Sequence, residues 1–141
     1  MDYDTVPAAE FGHALRMISV NLLVRDVARE VAFMTGVFGM VAHRVSTDFA
    51  IMLHAGQPLQ IHSDRAYAHH PLPSLLPEAG VRGAGVEIRL HEADPDHACA
   101  RAGKFDGAVV LQGATDKAAH GLREAVILSP SGYAFLPSRR I

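Results

Sequence analysis

The sequence predicts an α+β fold built from two βαβββ modules, each a curled mixed sheet, with a pocket between them. Three observations carry that expectation. A strand-like alternation ending in an Asp and followed by helical periodicity occurs twice, before Asp26 and before Asp94. Each occurrence is followed by three further short strand-like runs, with turn signals at Gly56 and at Ser129-Pro130-Ser131-Gly132. A Pro- and Gly-bearing stretch over 64–85 separates the two.

The elements follow in order. Residues 1–15 read as an irregular arm. In Met17–Val24, Ile18, Val20, Leu22 and Val24 alternate with Ser19, Asn21 and Leu23, a period of two. Asp26 is a good helix N-cap, because its short side chain can accept from a free N–H of the first turn. Val27, Val31, Met34 and Phe38 then recur at spacings of three and four, the stripe of an amphipathic helix. Gly36 and Gly39 end it. Val41–Thr47, Phe49–Ala55 and Pro58–Ser63 complete the first half.

Pro71, Pro73 and Pro77, with Gly80, Gly83 and Gly85, mark the connector. At about 20 residues it is long for a compact domain and is expected to cover a pocket. Val86–His91 alternates again. Asp94 caps a short helix with Pro95 at its first position, where a missing N–H costs nothing. That helix stops at Gly103. Ala108–Gln112, Leu122–Ser129 and Tyr133–Ser138 follow as strands. The organisation expected is one domain over 1–141, with module one about 16–63, connector 64–85 and module two about 86–138. One helix cannot cover a four-stranded sheet on both faces, so the bare faces must meet each other or another chain.

Composition narrows the function. The chain has 141 residues, 49% hydrophobic and 20% charged, with a net charge of −2. This is a globular balance with no basic stripe for nucleic acid or an anionic membrane. No apolar run approaches the roughly 20 residues of a membrane span. The first eleven residues carry Asp2, Asp4 and Glu10 and do not read as a secretion signal. The one cysteine, Cys99, fits a reducing cytoplasm and a small core residue.

Three stretches carry a resemblance. They are Ile18–Asp26 continued by Ala32-Phe33-Met34 and Val37-Phe38-Gly39-Met40; Gly85–Leu90 with Asp94 and Ala98–Ala102; and Leu128–Tyr133. Together they resemble the opening strand, helix end, second-module start and closing hairpin of the glyoxalase / bleomycin-resistance / extradiol-dioxygenase proteins, the vicinal-oxygen-chelate superfamily. Ser129 stands where that pattern usually has Asp. The resemblance implies a homodimer and, in the enzymes, a divalent metal between the modules. Its four ligand positions fall here on Ser19, about Gln60, Glu87 and Leu136. Ser and Leu do not ligate a divalent ion usefully, and a catalytic metal site ordinarily needs three protein ligands. The usual metal site is therefore expected to be absent.

By alternation, Ser19, Asn21, Gln60, His62, Glu87, Arg89 and His91 share the faces that would line the pocket. Read as a binding site, Arg89 holds an anionic group, Glu87 acts as a general base, and His62 or His91 moves a proton. Read plainly, Glu87 and Arg89 are a solvated same-face pair. His62, Glu87 and His91 are the set to hold a metal if one binds. The remaining histidines, His54 among them, have no partner at a telling spacing. Met17, Met34, Met40 and Met52 read as core or pocket filler. Tyr67, Tyr133, Phe49 and Phe135 are the rings available to a ligand. Three functions stay open: a metal-independent protein that binds a small organic molecule, a metal-dependent lyase, isomerase or dioxygenase with unusual ligands, and a metal-free enzyme using Glu87. No other cofactor is called for.

Overall fold

The computed structural model describes residues 1–141 as two four-stranded sheets with three α-helices. The first module contains β1 (Asn21–Val24), α2 (Val27–Phe38), β2 (Val41–His43), β3 (Phe49–His54) and β4 (Gln57–Ser63). The second contains β5 (Gly83–His91), α3 (Pro95–Ala102), β6 (Val109–Lys117), β7 (Leu122–Leu128) and β8 (Tyr133–Arg140). The strand orders are β1-β4-β3-β2 and β5-β8-β7-β6, so the two sheets repeat one topology. In each, the first strand pairs in parallel with the last and the rest is antiparallel. The sheets are mixed and open, and the α+β expectation holds.

Local chemistry sets the boundaries. Asp26 accepts from the Arg29 N–H and Asp94 from the Asp96 N–H, as N-caps should. Gly39 closes α2 in the left-handed conformation, whereas Gly36 lies inside the helix instead of ending it. Ala55 and Gly56 both have positive φ, the two-residue hairpin that matches strand twist. Gly132 has φ +84°, and a Cβ there would stand 2.5 Å from the Val81 Cα, so only glycine fits that turn.

Several expected boundaries move. Residues Ala8–Ala14 form helix α1, not an irregular arm. Its apolar side chains were too sparse to show a stripe, and it forms because Phe11 is buried with Val6 against Ile51. β1 starts at Asn21: the Val20 carbonyl still accepts from the Gln60 N–H at 2.9 Å, but Met17 to Ser19 have no strand partner in this chain, and Met17 is exposed instead of filling the core. β2 stops at His43, because Arg44 takes a positive φ while its side chain reaches the Val6 carbonyl. β5 starts three residues earlier than expected, and β6 and β8 run on to Lys117 and Arg140. The connector carries two short 3-10 turns, Asp64–Tyr67 and Leu72–Leu75.

One core serves both modules. Leu22, Val24, Met52 and Ile61 from the first sheet meet Phe33, Met34 and Val37 of α2, Ala98 and Ala102 of α3, and Leu90, Ile127 and Phe135 of the second sheet. Phe33 and Phe38 of α2 pack on Phe135 of β8 with centroids 5.7 and 5.3 Å apart. Phe135 is thus a core ring, not one available to a ligand.

Polar groups seal the seam. Glu30 is fully buried on α2 and accepts from the Ser131 N–H at 2.6 Å and the Ser129 hydroxyl at 3.2 Å. Burial pushes its carboxyl above the usual range, and those hydrogen bonds pull it only part of the way back. Arg82 has a 4% exposed side chain and grips Asp64 with two bonds of 2.6 and 2.7 Å. Arg82 and Tyr133 both donate to the Leu23 carbonyl. Arg25 donates to the carbonyls of Pro77, Glu78 and Gly80, tying the connector down.

Candidate functional site

Pairing register fixes which side chains share the face of each sheet away from its helix. On the first sheet, Asn21 stands beside Gln60 and Ile51 beyond it, and Leu23 beside His62 and then Phe49. On the second, Glu87 pairs with Ala134, Arg89 with Leu136, and His91 with Ser138 and then Glu124.

The first face is largely filled. Val6 and Phe11 of the arm lie on Ile51, with Tyr3, Leu15, Phe49 and Leu53 packed around them. What remains is an aromatic run of Phe49, His62, Tyr67 and His70, with successive centroids 5.0, 5.0 and 4.9 Å apart. Asn21 Nδ2 donates to the Tyr67 hydroxyl at 3.4 Å. His62 Nε2 is buried and has no hydrogen-bond partner, and burial lowers its imidazole pKa.

The second face carries charge. Arg89 donates to Glu87 at 3.2 Å and, on its other side, to Glu124, a carboxylate only 8% exposed. Burial alone would lower the Arg89 pKa. The hydrogen bond and charge of Glu124, supported by Glu87, outweigh it and raise the value. Next to this ladder Leu128, Ala134 and Leu136 form a small buried apolar cluster.

Two hollows meet where the β3–β4 hairpin comes against β5. One, of about 260 Å³, is walled by Ile18, Val20, Pro58, Leu59, Val86 and Ile88, with Glu87 and Arg89 at its side. The other, of about 300 Å³, takes in His91, Ser138, Arg139 and Arg140. They share His54, Gln57 and Arg89. His54 Nε2 lies 2.7 Å from the His91 carbonyl. A carbonyl only accepts, so Nε2 carries the proton and His54 pins the hairpin to the end of β5. A hollow of about 560 Å³ between the arm and the hairpin has one charged side chain, Arg16, with Tyr3, Ser19 and Gln57 as its other polar lining.

The seven residues singled out from sequence are therefore divided. Glu87, Arg89 and His91 line the cleft. Asn21 and His62 sit in the aromatic run, Gln60 lies between them on the first face, and Ser19 is exposed outside β1 beside the arm. The set His62, Glu87 and His91 is not brought together: His62 belongs to one sheet and its aromatic neighbours, and no three His, Cys, Asp or Glu side chains converge to hold a metal ion. The family positions fit no better. Ser19 lies off the strand, and Leu136 is buried in the apolar cluster. Strand alternation alone missed Glu124, Ser138, Arg139, Arg140 and His54. The signal for Ser138 and Arg140 was present, since they continue the Leu136 face in steps of two.

With this topology, the chain shares the fold of solved glyoxalase / bleomycin-resistance / dioxygenase structures. A hypothetical protein from S. aureus is similar with a TM-score of 0.71 at 17% identity, over 92% of this chain and 98% of the other. A glyoxalase/bleomycin resistance protein/dioxygenase family enzyme from Burkholderia phytofirmans PsJN gives 0.66 at 19% identity, over 87% and 97%. The fosfomycin resistance protein FosX from Mesorhizobium loti gives 0.62 at 15% identity, over 89% and 92%. No family model matches the sequence, and no curated protein matches it.

Proposed function

We propose that the protein binds a small organic molecule in the cleft between its modules, without a metal at the family's four positions. The observation that carries this reading is the cleft itself: an apolar wall of Ile18, Val20 and Val86 faces a positioned polar group, Arg89 held between Glu87 and Glu124. A mostly apolar hollow with a few fixed polar groups is the usual form of a small-molecule site. Neighbours named for resistance to bleomycin and fosfomycin, both small organic molecules, support the same class of ligand. The metal-dependent reading has no converging donors behind it.

The same reading takes the protein as a cytoplasmic homodimer. Edge strand β6 leaves one backbone edge unpaired, and Val109 and Leu111 on it are 49% and 58% exposed. Such an edge is normally covered. Light scattering on the purified protein tests it, and a monomer would refute it.

The binding proposal is tested by a thermal-shift screen of small molecules, followed by metal analysis of protein purified without chelator. Binding is expected from metal-free protein, and Val86→Glu should abolish it by placing a charge on the apolar wall. Stoichiometric metal, or ligand binding only after zinc, nickel, manganese or ferrous iron is added, would overturn the metal-free reading.

A further inference from the structure

The second hollow carries a charge imbalance that the first does not. Arg139 and Arg140 close β8 with exposed side chains, and neither forms an ion pair with a carboxylate, although Arg139 Nη1 donates to the Arg140 carbonyl at 3.2 Å. Arg139 lies near Asp96, but Arg123 already holds that carboxylate with two bonds of 2.9 Å. Glu92 is the one acidic residue in the lining. Arg89 is occupied by Glu87 and Glu124. Below them Ser138 is fully buried, and its Oγ has no hydrogen-bond partner. Buried hydroxyls are ordinarily bonded, so a lone donor in the wall of a cationic hollow is a group without its acceptor.

These features ask for the same thing. The Arg140 guanidinium, on the Ser138 side of β8, is unpaired and presents N–H donors that match the oxygens of a carboxylate or phosphate, and Arg139 beside it in the lining adds positive charge. The neighbouring hollow, joined through His54, Gln57 and Arg89, offers apolar surface to whatever is attached. We propose that the hollow at Ser138, Arg139 and Arg140 is an oxyanion subsite, and that the cleft takes an amphiphile with an anionic headgroup there and an apolar body along Ile18, Val20 and Val86. This rests on the cleft-binding reading and names its ligand class.

The test uses four probes followed by amide NMR on the full chain: octanoate, octyl phosphate, neutral 1-octanol with the same tail, and inorganic phosphate. At least one anionic amphiphile should shift the amides of His91 and Ser138–Arg140. It should bind at least about tenfold more tightly than 1-octanol, the scale of one charge-assisted hydrogen bond. That advantage should shrink with added salt. Which of the two wins distinguishes a carboxylate from a phosphate ligand, and inorganic phosphate should shift the same amides more weakly. Arg139→Gln with Arg140→Gln should remove the advantage and leave 1-octanol binding unchanged. Both side chains are exposed, so the melting temperature should stay in place. Equal binding of anionic and neutral amphiphiles in the cleft would overturn the subsite and leave the cleft reading standing. Failure of every probe to shift cleft amides would remove both.

Discussion

The two sheets have one topology and opposite surfaces. The bare face of the first is filled from within the chain, by Val6 and Phe11 on Ile51. The bare face of the second keeps a buried carboxylate, a guanidinium and an unpartnered hydroxyl. A sheet covered by one helix must dispose of its other face somehow. Here one copy is filled by an apolar arm and an aromatic run, while the other pairs charges and stays open. Repetition of a fold therefore does not repeat its site, and the polar resources of this chain lie mostly in the second module.

The largest effect is expected on the filled face. Phe11→Ala removes a ring that is 6% exposed and meets Tyr3 edge-on at 6.0 Å. Large-to-small changes of this kind cost about 3 kcal/mol, and here the loss is bounded by what the arm contributes. Chemical denaturation should show the drop, and hydrogen exchange should show amides 8–14 exchanging at the rate of an undocked helix. An unchanged melting curve would mean that the arm does not hold this face in solution.

The charged face should respond next. Glu124→Ala leaves the partly buried Arg89 with the more exposed Glu87 as its sole partner, a loss of about 2 kcal/mol. Removing Arg89 as well should restore part of the stability, because no unpaired charge is then left in the wall. If the double variant is no more stable than the single one, the Arg89–Glu124 pair is not what holds the second face.

Much of this contrast could be read from the sequence, and the rest fails for physical reasons. Asp26, Asp94 and the Gly132 turn act locally, so the caps, helices and closing hairpin were legible. Helix α1 was not, because its stability comes from Ile51, some forty residues away in sequence, and not from its own pattern. The site was half legible. Alternation placed Glu87, Arg89 and His91 on one face correctly. It could not tell that Glu124 meets Arg89 across the intervening strand β8, or that His62 faces Phe49 and Tyr67 instead of Glu87. Register between strands is tertiary information, and period-two patterns do not contain it.

The seam between the faces should titrate. The Glu30 carboxyl is raised above its ordinary 4.5 by burial, so the folded state holds its proton more tightly than the unfolded one. Its contribution is intact below 4.5 and is lost as pH rises through the folded value. Asp48, Asp64 and Asp96, held below 3.8 by arginine partners, act in the opposite sense and cost stability only as the solution becomes strongly acid. The two windows are separate. Glu30→Gln keeps an acceptor for the Ser131 N–H and cannot ionise. Its unfolding free energy should therefore lack the decline expected of the parent chain above pH 4.5. A parallel decline in both proteins would assign the titration to another group.

The smallest effect belongs to a residue that alternation favoured for the pocket. His62 has its pKa lowered from 6.5 by burial alone, with no acid beside it. The unfolded chain takes up the proton first as pH falls below 6.5, so stability is lost from there down through the folded value. A ring set at a tilt between Phe49 and Tyr67, with centroids 5.0 Å away on each side, is replaceable by another ring. His62→Phe should leave stability at pH 7.5 within about 1 kcal/mol of the parent, since a near-isosteric aromatic swap keeps the packing. It should also flatten the loss that sets in below pH 6.5. A large drop at pH 7.5 would show that the imidazole has a polar partner there, and would return His62 to the functional site on the first face.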